Sequence, residues 1–183
     1  MRAATEADHD AVWNIFQETI AAGDTYALDP KMSREEALAY WFRADTHTYV
    51  AELDRQSVGE ADGFPGTAAP SPTASKQDRR IAGTYILRPN QSGGGSHVAN
   101  AAFMVAGSAR GKKIGRAMAK HCLDEARRMG FRAMQFNFVV STNAPALHLW
   151  EQLGFKIVGT LPGAFHHPEK GYVDVYVMYR SLL

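Results

Sequence analysis

The sequence predicts an α/β (α+β) fold in which helices flank a sheet, and three observations carry this. The chain has 183 residues, 45% of them hydrophobic and 21% charged, which is enough for one ordinary globular domain with a substantial core. Apolar residues recur at helical spacing in some segments and alternate in others, with turn residues between them. At the centre, Val98 to Gly130 reads as a strand, a basic Gly-containing loop and a helix.

Taken in order, the chain opens with a short extended piece. Thr5 then caps a first helix, with Asp8 three residues later, predicted over about Glu6 to Ala22; Val12, Trp13, Ile15, Phe16 and Ile20 form its buried face, and Gly23 ends it. A polar turn from Asp24 to Pro30 carries Tyr26. Ser33 and Glu36 repeat the capping signature for a second helix through about Phe42, and Thr48 to Leu53 reads as a strand. From about residue 54 to 79 Gly, Pro, Ala, Ser and charged residues dominate, and Pro65, Pro70 and Pro72 oppose ladder pairing, so a flexible surface insertion into the single domain, 1–183, is expected. Ile81 to Leu87 is the next strand, and a Gly-rich connection, Pro89 to Ser96, leads to the central strand.

Beyond Gly130, Phe131 to Val140 alternates Met134, Phe136 and Phe138 with Gln135, Asn137 and Val139, the pattern of a strand with one polar face. Asn143 caps a helix from Ala144 to Leu153, with Pro145 in the first turn, where its missing N–H is harmless. Phe155 to Val158 resumes as a strand, Pro162 to Gly171 reads as a loop, and Tyr172 to Tyr179 closes the chain as an alternating strand.

The central unit carries the clearest chemistry. The first N–H groups of a helix lack intrahelical partners and point, with the positive end of the helix dipole, into the preceding loop. Gly111 and Gly115 let the main chain approach a phosphate closely, while Arg110, Lys112, Lys113 and Arg116 surround it with positive charge. A pyrophosphate suits this loop; a solvated basic helix start is the plainer alternative. The NTP-binding loop G-x-x-x-x-G-K-[ST] fails on spacing, because only three residues separate Gly107 from Gly111 and Lys112 is followed by Lys113. The dinucleotide fingerprint G-x-G-x-x-G is absent as well.

Composition narrows the partners. A net charge of +1 gives no basic face for nucleic acid or an anionic membrane surface. The single Cys122 excludes an internal disulfide and a Cys-based metal site, and no metal is expected. No targeting segment or membrane-spanning run is seen, so a soluble cytoplasmic protein is expected.

Arg110 to Gly115 resembles the R/Q-x-x-G-x-G/A pyrophosphate loop of the GCN5-related N-acetyltransferases, with Lys113 in place of the first Gly. Asn143-x-x-Ala146-x-x-Leu149-Trp150-x-x-x-Gly154-Phe155 resembles the segment that follows that loop in the same family, at matching distance. The resemblance implies a mixed, mostly antiparallel sheet that splays at its middle. It also implies acetyl-CoA as cosubstrate, held by Val105, Arg110, Gly111, Lys112, Lys113, Ile114, Gly115, Arg116 and Asn143, with the pantetheine in the splay.

Two departures bear on chemistry. Trp150 stands where the family commonly has a Tyr, and an indole is a donor that cannot act as the acid for a leaving thiolate; it is either a wall of the thiol pocket or core. No carboxylate lies on the central strand, where Asn100 stands instead. Asn100, Asn137 and Asn143, with the Trp variant, resemble a narrower group, the yeast-type N-acetyltransferases of L-azetidine-2-carboxylate and proline-like amino acids. That resemblance makes these three asparagines the catalytic candidates; Asn100 as a strand-end residue and Asn137 as an exposed one remain the structural alternatives. Layout puts Asp24, Thr25, Tyr26 and His166 or His167 over the acceptor, so Asn100, Asn137, Tyr26 and His167 are the substrate-binding candidates. The expected function is transfer of acetyl to the amine of a small molecule, a free amino or imino acid first. An acyl-CoA sensor without turnover and a peptide N-terminal acetyltransferase are the alternatives, and a homodimer is among the open oligomeric states.

Overall fold

The computed structural model describes residues 1–54 and 79–183. The insertion expected between about 54 and 79 lies, apart from its two end residues, outside the described residues. Elements follow in chain order as β1 (Arg2–Ala3), α1 (His9–Ala21), α2 (Arg34–Trp41), β2 (His47–Asp54), β3 (Arg79–Pro89), β4 (Val98–Val105), α3 (Ile114–Arg128), β5 (Ala133–Val140), α4 (Ala144–Gln152), β6 (Lys156–His167) and β7 (Gly171–Ser181). Among the described residues seven strands form one sheet in the order β1-β2-β3-β4-β5-β7-β6. Every neighbouring pair is antiparallel except β4 with β5. This is the mixed, mostly antiparallel sheet expected, and no helix among the described residues is long and apolar enough to cross a membrane.

Alternation along β3 assigns the two faces of the sheet. Thr84 is on the α1 and α2 face, where its hydroxyl accepts from the Trp41 indole N–H at 3.0 Å and donates to the Tyr49 carbonyl at 2.9 Å. Both polar groups are thereby satisfied in a site from which water is excluded. Tyr85, one residue on, faces α3, stacks on Tyr49 at 4.8 Å and shares a 2.6 Å hydrogen bond with His121. Tyr49 donates to Glu125 at 2.6 Å, tying β2 to α3. Hydrogen bonds from Arg128 first, then from Tyr49, hold Glu125 down to about 2, while burial and Glu125 push Tyr49 up to about 12.

The helix starts follow the capping chemistry read from the sequence. Ser33 and Glu36 form the full reciprocal box at α2. At Thr5 a single 3₁₀ turn, Glu6–Asp8, precedes α1, so the α-helix proper begins three residues later than predicted.

The last hairpin is longer than predicted. β6 runs through His167 where the sequence suggests a loop from Pro162, and the turn is confined to Pro168–Lys170. Pro162 is tolerated because β6 is an edge strand and its pairing with β7 slips between Leu161 and Phe165, so no ladder N–H is needed there. Gly163 supplies the positive φ of 58° at this irregularity, and its N–H donates to Asp174 at 2.9 Å.

Asp8 anchors the chain start. It is 5% exposed, takes a two-pronged contact from Arg2 at 2.7 and 2.8 Å, and accepts the Thr5 N–H at 2.8 Å. Arg2 chiefly, with the Thr5 N–H, holds the Asp8 carboxyl down at about 2. A depressed folded-state value means that the pair stabilises above the ordinary carboxylate pKa and is lost as pH falls towards 2. Asp8→Asn is expected to cost about 2 kcal/mol at pH 7. In urea melts the gap between variant and wild type should shrink between pH 4 and pH 2; a constant gap contradicts the assignment.

Candidate active site

The site is set by where β4 and β5 stop pairing. Their parallel register covers only Val98 with Ala133 and Ala99 with Met134. Beyond it the Asn100 amide donates to the Gln135 carbonyl at 2.9 Å, a side chain taking over where the ladder ends. Further along, the indole of Trp150 packs 5.1 Å from Phe103 on β4 and 4.6 Å from Phe136 on β5, so ring contacts rather than a ladder join the two strands there. In β5 the pairing with β7 slips between Phe136 and Val139, a bulge that leaves Asn137 and Phe138 without β7 partners.

Parting exposes one edge of β4. Bonds from Asn90 N–H to the Val98 carbonyl and from Ala106 N–H to the Ala82 carbonyl bracket the β3 ladder, so even-numbered residues of β4 bond to β3. The N–H and carbonyl groups of Ala101, Phe103 and Val105 therefore face the opening. The Tyr26 hydroxyl occupies the middle pair, donating to the Phe103 carbonyl at 2.7 Å and accepting its N–H at 3.0 Å. Burial pushes the Tyr26 phenol well above its ordinary range, so it stays neutral and able to donate.

Two cavities open on either side of this bridge. One, of about 290 Å³, includes Tyr40, Arg88, Asn100, Phe136, Asn137 and Trp150 in its wall. The other, of about 660 Å³, passes Val105 and Arg110 and ends at His167 and Lys170. Thr25, Tyr26, Phe103 and Asn143 line both, so the cavities meet at the exposed edge of β4.

Arg110, the first residue of the predicted anion loop, lines the larger cavity. The first intrahelical bond of α3 runs from Ala117 N–H to the Lys113 carbonyl, which leaves the N–H groups of Ile114, Gly115 and Arg116 outside the helical ladder. Gly111 and Lys113 both have positive φ, 77° and 60°. For Lys113 that left-handed turn costs about 1–2 kcal/mol, and it directs successive N–H groups into one concavity. The Ile114 side chain is buried in the core, so its contribution to the loop is its N–H. Lys112, Lys113 and Arg116 are exposed, and Arg116 bonds Gln152 on α4.

The other predicted residues are distributed as follows. Asn143 is the N-cap of α4, accepting Ala146 N–H at 3.2 Å. Asn137 is exposed, takes a bond from Gln135 at 2.8 Å and donates to Asn90 at 2.6 Å. Trp150 is both core and cavity wall at 8% exposure. His167 is buried, and its Nδ1 accepts the Glu169 N–H at 3.1 Å, whereas His166 packs on Tyr172 at 4.9 Å. Sequence reasoning missed Arg88 and Tyr40 in the smaller cavity and Glu169 along the larger one, where Asp24 also lies. Arg88 closes a strand next to Pro89, and only its cross-strand position opposite Asn100 makes it a site residue.

Known proteins resemble the chain along most of its length. The model of the acetyltransferase (GNAT) family matches residues 11–155. The N-acetyltransferase aca1 of Schizosaccharomyces pombe is 35% identical over 161 residues, covering 86% of this chain and 72% of that protein. A GCN5-related N-acetyltransferase from Kribbella flavida superposes with a TM-score of 0.81 at 40% identity, covering 98% of this chain and 95% of its own. An acetyltransferase from Salmonella typhimurium, yncA, solved with its cofactor acetyl-CoA, shares the fold with a TM-score of 0.74 at 21% identity, over 100% of this chain and 92% of that one. Together with the mixed sheet that parts between β4 and β5, these similarities establish that the chain belongs to the GCN5-related N-acetyltransferase (GNAT) family of acyltransferases.

Proposed function

We propose that the protein transfers an acetyl group from acetyl-CoA to the amine of a free amino or imino acid held in the smaller cavity. The observation that carries this reading is the meeting of the two cavities at Tyr26, Phe103 and Asn143. When bound, acetyl-CoA supplies an acetyl group activated as a thioester. The residues present suit it. Arg110, Lys112 and the N–H groups of Ile114 to Arg116 would hold the pyrophosphate, and the Val105 backbone and the Asn143 side chain would hold the amide-bearing arm. Held so, the thioester would meet the acceptor without a bimolecular encounter.

The acceptor nitrogen must lose a proton before it attacks. Neither Asn100 nor Asn137 can take it, since amides are not bases in this range. The carboxylates of Asp24 and Glu169 lie along the larger cavity, and they are the groups through which water carries that proton away. Trp150 contributes shape: its indole and the rings of Phe103 and Phe136 keep the strands apart and the reacting groups dry.

A thiol-release screen with amino acids, cyclic imino acids, peptides and aminoglycosides tests this reading. Turnover is expected with small amino or imino acids. Turnover with peptide N-termini or aminoglycosides alone contradicts it, and tight acetyl-CoA binding with no turnover on any amine makes the protein a sensor.

The cofactor assignment is tested separately at Gly115. A Cβ there would meet Val105 Cγ2 at 3.8 Å and Leu149 Cδ2 at 3.9 Å, ordinary contacts that the fold tolerates, but a longer side chain enters the gap between β4 and α4. Gly115→Leu is expected to weaken acetyl-CoA binding by about one to two orders of magnitude in calorimetry, with the thermal midpoint close to wild type. Unchanged affinity refutes the placement.

A further inference from the structure

We propose that Arg88 reads the carboxylate of the acceptor, which makes the substrate a small α-amino or α-imino acid anion rather than an amine in general. This rests on the acetyl-transfer reading above and adds the group that selects the acceptor.

Arg88 lies near the end of β3 and pairs directly with Asn100 on β4. Directly opposed residues project from the same face of a sheet, so the guanidinium and the Asn100 amide are neighbours in the wall of the smaller cavity. The Tyr40 ring lies 5.5 Å from the guanidinium carbon, a cation–π contact that holds the group while leaving its N–H edges free. Among the described residues, Nη1 of Arg88 is buried without any hydrogen-bond partner, and no ion pair includes Arg88. A buried charged donor left without an acceptor is costly and uncommon in a native fold. Among the described residues no carboxylate belongs to the wall of this cavity, and an incoming carboxylate is the acceptor assigned here to Nη1. The planar fork of a guanidinium fits a carboxylate with two parallel bonds.

The neighbouring amides complete the match to a zwitterion. Asn100 donates to the Gln135 carbonyl, and its Oδ1 is an acceptor in the same cavity wall as Arg88. Asn137 is engaged at both ends, with Gln135 and with Asn90. The cavity therefore offers one cation and one acceptor side by side, the arrangement that an α-carboxylate and the amine on the same carbon require. Leu28, Ala102 and Phe138 leave an apolar remainder for a short side chain or a small ring. A peptide N-terminus, with an amide in place of the carboxylate, and a polycation, repelled by Arg88, are both poor matches.

The test compares small amino and imino acids, proline among them, each with its primary amide, in acetyl-CoA-dependent thiol release. Wild type is expected to prefer each acid it acetylates over the amide by about 30-fold or more in kcat/KM. Arg88→Gln is expected to lower kcat/KM for the acids by about 100-fold, mainly through KM, and to collapse the acid-to-amide preference; Arg88→Lys should restore part of it. Calorimetric acetyl-CoA affinity reports that the variants are folded. If wild type uses acids and amides equally, or if Arg88→Gln lowers both in proportion, this proposal is overturned while acetyl transfer to small amines stands. If wild type acetylates neither acids nor amides, the amino-acid reading itself falls, and this proposal with it.

Discussion

The candidate site depends on the separation of β4 from β5 after two parallel residue pairs, Val98 with Ala133 and Ala99 with Met134. An open sheet normally satisfies its interior edges with neighbouring strands, and an unpaired edge inside a protein is expensive. Here the ring contacts of Trp150 with Phe103 and Phe136 and the Asn100 bond to the Gln135 carbonyl join the strands where the ladder ends. The exposed edge of β4 is then divided. The Tyr26 hydroxyl takes the backbone pair of Phe103, and Ala101 and Val105 are left facing the two cavities. One structural device thus opens a cleft, lines it with peptide groups and joins the two cavities at Thr25, Tyr26, Phe103 and Asn143.

The anion loop shows the same economy. Its left-handed Lys113 is the sole non-Gly residue with positive φ among the described residues, and its strain lies at the point where helix α3 offers its free N–H groups. Strain of this kind persists where surrounding structure holds it and a ligand benefits from the resulting shape. Ile114, buried at the first helical position, and the Gly107 N–H bonded to Glu18 at 3.1 Å fix the two ends of the turn. Lys113 thus stands in a left-handed conformation that favours glycine, with its side chain exposed.

Much of this was legible in the residue pattern. Capping at Ser33 and Asn143, the helical spacing of α3 and the strand periodicity around Val98 and Phe136 are local signals, and each appears in the structure where the sequence indicates it. The extent of β6 was not legible, because Pro162 and Gly163 spell a turn locally and only an edge position with slipped register admits them to a strand. The basic loop could be singled out as an anion-site candidate because its residues are contiguous. Tyr40 and Arg88 could not be joined to Asn100 and Asn137, since the four come from four elements and only the strand register and the α2 packing bring them to one cavity. The asparagines could be singled out from sequence, but their commitments to Gln135, Asn90 and Ala146 depend on tertiary neighbours that no spacing reveals.

The central claim is that the split between β4 and β5 is the acetyl-CoA cleft. Amide hydrogen exchange with and without saturating acetyl-CoA tests it most directly, since the amides concerned are named by the geometry. Protection is predicted at Val105, across Gly111 to Arg116 and at the start of α4, with little change in β1, β2 and the outer part of β6. Protection confined to other elements, or none at a concentration where calorimetry shows binding, would contradict it.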